Sequence, residues 1–432
     1  MYQKRVTTLI ALAAATVLLA ACSSAPPGGS QTPMADEEGP VTLQVTALER
    51  PFMKDAIAKF EQDHPNVTVT FTNQQPKFED GSVQTILRSG GGPDVLELSA
   101  GPARVGQLIK NGLIPEINAI YSEENLTTNL RPYVLKQLDA YSEGKYSEVV
   151  SGIDVFQVYY NKAIFARLGL AEPKTWEEFL HICAAVKDTG VLPIVAGFRD
   201  NLQGGWMFGN IVQAVAGTQA MTEVIYEDGK FDQPALIRAG QTLSDFVDQG
   251  YIDGGQASAL GSDQSMAAFF QGRGAMTVLG QTHLIRAETN DKVDISQFGS
   301  FLMPSPNPGQ APAATAGLGT SWVMNPNSHA PKASRDWLRW VASEEYVTMA
   351  LKSGGFNSVP ARKLPAGVSM GPMLDAASNN VDGAGYNPSV FLPAKAVAAW
   401  YQAPQAIVTK QKTPEQAMAE IQSALSQAKA AG

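Results

Sequence analysis

Few residues in this chain are placed for bond-making chemistry. Its four histidines, His64, His181, His283 and His329, stand singly, and a lone imidazole is more commonly a surface or satisfied core group than a metal ligand. No His-Glu-x-x-His helix, Gly-x-Ser-x-Gly elbow, Gly-x-x-x-x-Gly-Lys-Ser/Thr loop or Gly-x-Gly-x-x-Gly turn occurs. Carboxylates are plentiful, but a glycosidase pair is defined by the separation of two side chains in space, which residue order does not give. What the chain does carry are groups suited to holding a solute. Asp154 is an ionisable residue in an otherwise apolar run of Ile153, Val155, Phe156 and Val158; a carboxylate in that setting either meets a ligand or is a hydrogen-bonded structural group. Glu49 and Arg50 follow the first apolar alternation, where they either bind hydroxyl groups or form a solvated pair of little consequence.

The first forty residues assign these groups to an exported domain. Lys4 and Arg5 precede an apolar run from Leu9 to Ala21, the length of a signal-peptide core and too short to span a bilayer. It ends in Leu19-Ala20-Ala21-Cys22, which resembles the lipobox of bacterial lipoproteins. That resemblance implies acylation of Cys22 as the first mature residue, the alternative being an ordinary signal peptidase site. Removing residues 1–21, with their two cations, takes the net charge from −9 to −11. Residues 22–40, rich in Ser, Gly, Pro and acidic side chains, predict a flexible tether. A pI near 5.1 without clustered Lys or Arg argues against nucleic acid as a partner. The remaining cysteine, Cys183, lies among Phe179, Ile182 and Val186 and is expected to be a buried thiol without a disulfide partner.

From Val41 onward strands alternate with helices. Val41, Leu43 and Val45 alternate as a strand, Phe52, Ala56, Ile57 and Phe60 recur at helical spacing up to His64-Pro65, and Val67, Val69 and Phe71 form the next strand. A helix from about Phe78 to Arg88 and a strand over Asp94–Leu98 follow, the grammar of a doubly wound parallel sheet. Such sheets bind ligands beyond their strands' carboxyl ends, so the loops Ala47–Arg50 and Ser99–Pro102 are candidate walls of a site. Later, Val155–Tyr160 reads as a strand, Thr175 to Glu178 as a capping box, and Ser334–Ala342 and Pro414–Ala428 as amphipathic helices. The Gly/Pro-rich stretches Met303–Pro312 and Pro360–Pro372 read as surface loops.

Tyr159-Tyr160-Asn161-Lys162, Phe165, Leu168-Gly169-Leu170 and Pro173-Lys174-Thr175-Trp176-Glu177-Glu178-Phe179 together resemble the family-1 extracellular solute-binding proteins of bacterial ABC importers, the maltose-binding-protein superfamily. Gly92-Pro93-Asp94-Val95, Phe269-Phe270-Gln271-Gly272-Arg273-Gly274-Ala275-Met276 with Gly280, and Gly355 to Pro360 extend the likeness over residues 41 to about 425. The resemblance implies two α/β lobes closing on ligand by hinge motion. It places the exit from lobe 1 near Gly152–Asp154, the return near Gly317–Ser321 and a further crossing after Pro360. The expected division is therefore 41–152 plus about 321–360 for lobe 1 and 153–320 plus about 361–432 for lobe 2.

For a sugar, aromatic faces stack on pyranose C–H patches while planar polar groups bridge hydroxyls. Trp206, in Asn201-Leu202-Gln203-Gly204-Gly205-Trp206, falls on a family aromatic, and Gly204-Gly205 is expected to open the backbone beside it. Gly204 stands where the family commonly has a carboxylate, and Thr282 where sugar binders often have Trp, which implies either a less aromatic face of the cleft or a polar role for His283. Trp400-Tyr401 lies near another family aromatic or is the core contact of its own helix; Phe356-Asn357 precedes the late Pro turn. The expected ligand-binding set is Trp206, Asp154, Glu49, Arg50, Ser99, Gln203, His283, Phe356, Asn357, Trp400 and Tyr401. The whole predicts a type II periplasmic-binding fold and a monomeric lipoprotein on the outer leaflet of the cell membrane. It would deliver a mono- or oligosaccharide to a permease, without catalysis, metal or cofactor. Two alternatives stay open: a same-fold receptor for an anionic solute such as a glycerophosphodiester, for which Arg50, Arg104 and Arg199 are the near cations, and an exported glycoside hydrolase.

Overall fold

The computed structural model describes residues 35–78, 81–200, 202–353, 358–365 and 367–431. Its strands, in chain order, are β1 (Val41–Ala47), β2 (Val67–Asn73), β3 (Val95–Ser99), β4 (Val149–Val150), β5 (Gly152–Asn161), β6 (Leu192–Ile194), β7 (Gly274–Gly280), β8 (Phe298–Phe301), β9 (Thr315–Leu318), β10 (Thr320–Met324), β11 (Val359–Pro360) and β12 (Gly385–Tyr386). They build two sheets, one per lobe. The first has the order β2-β1-β3-β10-β4; the second runs β12-β9-β5-β7-β6, with β8 and β11 also paired to β5. The described residues form one compact unit.

In the first sheet β1, β2 and β3 are parallel, with Val41 opposite Val67 and Val45 opposite Val95, because helices Met53–Asp63 and Ser82–Arg88 return the chain between them. The first of these helices buries Ala56 and Phe60 and stops at His64, before Pro65. Both sheets are mixed rather than wholly parallel. β10 is antiparallel to β3 and β4, and β5 is antiparallel to β7, β8 and β9. The cause is the crossover: β4 runs through Ser151 straight into β5, so one extended segment belongs to both sheets.

A second crossover, β9-Gly319-β10, lies beside the first. The Ser151 amide donates to the Thr320 carbonyl at 2.9 Å, the Gly319 amide to the Gly152 carbonyl at 2.9 Å, and the hydroxyls of Ser151 and Thr320 are 2.8 Å apart. Ala361 donates to the Ser151 carbonyl, so the segment carrying β11 joins the same place. Glycine is required at position 152, where a Cβ would sit 2.9 Å from the Ser358 Cβ.

Each lobe has its own core. Leu96, Leu98 and Val323 pack against Val83, Leu87, Val105 and Leu108 in the first, and Val158, Met276 and Val278 against Phe179, Phe208, Ile211 and Phe246 in the second. The capping box at Thr175 and Glu178 is present in both directions, and Cys183 is fully buried, its thiol pushed up in pKa by that burial. No helix among the described residues is long and apolar enough to cross a membrane.

Two segments differ from their sequence reading. The stretch 303–312 does not simply cover the surface: Asn307 Nδ2 donates to the Val215 carbonyl at 2.7 Å, and Gln310 Nε2 to those of Gln213 and Ala214 at 3.1 and 2.9 Å. It thereby satisfies carbonyls freed where helix Leu202–Tyr226 breaks at Gly217, whose φ of 80° and ψ of 170° only glycine adopts at low cost. Residues 36 and 37, expected within the tether, are also held against the domain. Glu37 accepts from the Lys332 and Ala333 amides at 2.8 Å each, capping helix Pro331–Ala342 from outside, and Asp36 pairs with Arg335.

Candidate functional site

The two crossovers bring the ends of both sheets together. Ser99, the half-buried last residue of β3, lies opposite Thr320, and Asp154 in β5 lies opposite Gly317, on either side of Gly319. The end of a strand from one lobe thus meets the start of a strand from the other.

Asp154 is half-buried and held from two sides. Its Oδ1 accepts from Thr282 Oγ1 at 2.9 Å and from Ser358 Oγ at 2.9 Å, while Oδ2 accepts no hydrogen bond among the described residues. The Thr282 that stands where an aromatic is common is therefore the anchor of the carboxylate. Its position is fixed in turn by Gln281, fully buried, whose amide accepts from the Val155 N–H at 2.8 Å and donates to the Ile153 carbonyl at 3.1 Å.

His283, one residue on, packs against Trp206 with ring centroids 4.6 Å apart, and Phe156 packs against Trp206 at 5.2 Å. Gly280 permits this, since a Cβ there would lie 3.0 Å from the Phe156 ring and 3.4 Å from His283 Nδ1. Nδ1 lies 3.3 Å from the Gly280 carbonyl, which only accepts, so the Nδ1–H donates and a neutral ring keeps Nε2 as an acceptor. Burial lowers the His283 pKa, against the opposing pull of Asp154, so the ring is neutral at physiological pH. Trp206 retains 9% exposure. The indole nitrogens of Trp322, Trp337, Trp340 and Trp400 are buried without a partner; that of Trp206 is not among them.

On the first lobe Arg50 is committed to the protein. Its guanidinium lies 2.7 Å from the carboxylate of Glu97, which is 1% exposed in the middle of β3. Burial is the largest influence and works against the Arg50 charge, but Glu97 and Tyr346 together outweigh it and the pKa is raised. Glu49 is exposed and exchanges hydrogen bonds with Asn73: its amide donates to Asn73 Oδ1 at 3.0 Å, and Asn73 Nδ2 donates to its carboxylate at 3.3 Å. Arg104 is half-buried, and Arg199 donates to the Ala259 carbonyl at 3.2 Å.

Three expected contributors have other surroundings. Gln203 is fully buried with its amide occupied: the Gly197 amide and Ser265 hydroxyl donate to Oε1, and Nε2 donates to Thr277 Oγ1 at 2.9 Å. A ligand reaches none of these atoms. Trp400 is fully buried, stacked on Phe208 at 4.9 Å and beside Phe231 at 5.9 Å, which makes it the core contact of its helix. Gly204 and Gly205 open no passage, because Phe198 and Tyr401 close over them; a Cβ would fall 2.6 and 2.5 Å from those rings. Tyr401 is half-buried in that contact. Phe356, Asn357, Asn201 and Cys22 lie outside the described residues.

The structure thus brings Asp154, Trp206 and His283 together beside the second sheet, while Ser99 ends β3 and Glu49 follows β1 in the first. It adds Thr282, Ser358, Phe156, Asn73 and Glu97 to the residues that shape them. Glu97 carried a readable signal, the same lone carboxylate in an apolar strand that singled out Asp154. Among the described residues no cluster of His, Cys, Asp or Glu could hold a metal ion.

A chain of this architecture has known counterparts. It is 24% identical over 278 residues to the multiple sugar-binding protein of Streptococcus mutans serotype c, covering 61% of this chain and 62% of that one. It is 31% identical over 139 residues, 31% of this chain and 30% of the other, to YcjN of Escherichia coli (strain K12), whose name describes an ABC transporter periplasmic-binding protein. The matched segments span less than two thirds of the length of these curated relatives. The solved structure of a chitin oligosaccharide binding protein superimposes with a TM-score of 0.76 at 22% identity, covering 90% of this chain and 99% of that one, which establishes the shared fold. Residues 45–348, from the first strand through both crossovers, match the family described as bacterial extracellular solute-binding protein, and with two lobes joined as that fold requires, the chain belongs to it.

Proposed function

We propose that this chain is the substrate-binding component of an ABC importer, capturing a mono- or oligosaccharide where its lobes meet and presenting it to a permease. The observation that carries the reading is the grouping of Asp154, Trp206 and His283. An anchored carboxylate with one free oxygen and a neutral imidazole acceptor stand beside an aromatic pair. Hydroxyl groups donate to those acceptors while C–H patches meet the rings. An anionic solute would need free cations instead, and Arg50 is already paired with Glu97. The names of the relatives support a sugar and an ABC system. The reading involves no chemical step. We place lobe 1 at 41–152 plus about 321–360 and lobe 2 at 153–320 plus about 361–432, with a tether that ends at Asp36.

Screening saccharides by thermal shift tests the proposal. A ligand at about one hundred times its Kd adds about 2.7 kcal/mol to the native state, so at least one mono- or oligosaccharide should raise Tm while glycerophosphodiesters do not. Stabilisation by the anionic solutes alone would overturn the sugar assignment.

We further infer that the protein is a monomer held at the outer leaflet of the cell membrane by a lipid on Cys22, which follows Leu19-Ala20-Ala21. Cys22→Ala should leave the membrane fraction and fold normally. Retention of that variant after carbonate and high-salt extraction would refute the anchor.

A further inference from the structure

A groove of about 680 Å³ lies on the second lobe between helices Ser262–Phe270 and Gln281–Asp291. That volume lies within the range of about 300–1,000 Å³ typical of small-molecule sites. Its floor is apolar, formed by Met266, Ala287 and Phe298. One wall is the ring of Phe270, half-buried and fixed by Phe269 at 5.7 Å and edge-on by Phe298 at 5.5 Å. The rim is planar and polar: Gln271, Arg286, Asn290 and Asp263 are exposed, and their side chains make no hydrogen bond among the described residues. A rigid aromatic face beside amide, guanidinium and carboxylate groups with free hydrogen-bonding capacity is the chemistry that receives a polyhydroxylated ring. Asp263, Asp291 and Asp294 around the single Arg286 make an anion a poor occupant.

One residue is common to the groove and the site at the crossovers: the His283 ring packs on Trp206, and His283 also lines the groove. We propose that this groove is a second saccharide subsite, continuous with the first through His283, that takes the units of an oligosaccharide lying beyond the one held at Trp206. This inference rests on the carbohydrate reading and narrows it from sugars in general to chains of several units.

Calorimetric titration of the full-length protein with malto-, xylo- and chito-oligosaccharide series of increasing length tests it. The wild-type protein should bind longer members of one series more tightly than the shortest. Asn290→Trp, which fills the groove from an exposed helix face, should leave the shortest bound member within about twofold and weaken the longest by about tenfold or more, equivalent to about 1.4 kcal/mol. Gln271→Ala, which removes one rim group without adding bulk, should weaken only the longer members, by a smaller factor. A length profile that is flat in the wild type, or identical in wild type and both variants, would overturn the second subsite and leave the carbohydrate reading standing. Failure of the wild type to bind any member, or the free monosaccharides, would overturn both.

Discussion

Glu148→Gln is expected to make the protein more stable than wild type at pH 8, by about 3 kcal/mol, and to leave it nearly unchanged near pH 4.5. Glu148 is fully buried at the residue preceding β4. Burial pushes its carboxyl up to about 7 from 4.5, while the hydroxyls of Ser321 and Tyr141 work the other way. Only Tyr141 makes a hydrogen bond of ordinary geometry, its hydroxyl donating to Oε1 at 2.6 Å; Oε2 and the Ser321 hydroxyl are both buried without a partner. Because the folded pKa lies above the unfolded one, the native state favours the protonated acid. The contribution of this group is complete below pH 4.5 and is lost as the pH rises through about 7. Glutamine reproduces the neutral acid and does not titrate. Urea unfolding of both proteins at several pH values between 4.5 and 8 isolates the term, since every other group is common to the two. Parallel pH profiles would show that Glu148 keeps no such pKa in the folded protein.

This carboxylate illustrates which parts of the fold were open to sequence reasoning. Local period carried the elements: the alternation at Leu43 and Val45, the helical spacing from Ala56 to Phe60 and the Thr175–Glu178 box each depend on residues within a few positions of one another. The mixed strand directions were not local. They follow from β4 and β5 being one extended segment shared by two sheets, a fact about pairing between residues such as Asp154 and Gly317 that are far apart in sequence. The role of residues 303–312 was hidden for the same reason, because Asn307 and Gln310 are loop residues by composition and helix caps only by position against Gly217.

The site divides along a similar line. A charge inside an apolar strand is visible in a sequence, and Asp154 was found that way. Its holders, Thr282 and Ser358, are ordinary hydroxyl residues that acquire meaning only where three chain segments meet. Gln203 and Trp400 show the converse. An amide and an indole have the chemistry to bind a sugar, but they serve equally well to satisfy a buried network and to fill a core, and neighbours distant in sequence decide which. The glycines beside Trp206 mislead similarly, since the space left by a missing Cβ is occupied by Phe198 and Tyr401 rather than by solvent.

Trp206 itself belongs to both categories, and its replacement should have two separable consequences. With 9% exposure and contacts to Phe156 and His283, its ring fills space that alanine would leave open, so Trp206→Ala should lower stability by about 3–5 kcal/mol. On the proposed reading, the uncovered part of the ring meets the ligand beside Asp154 and His283. In the fraction that remains folded, affinity for the saccharide should therefore fall by about 1–3 kcal/mol. Trp206→Phe separates the terms: a smaller ring against Phe156 and His283 preserves most of the packing, so stability should recover further than affinity, which depends on the breadth of the stacking surface. Unfolding curves give the first quantity, and titration of folded protein below its transition gives the second. If affinity in the folded fraction is unchanged in both variants, Trp206 serves only the core, and the stacking face must be supplied by another residue.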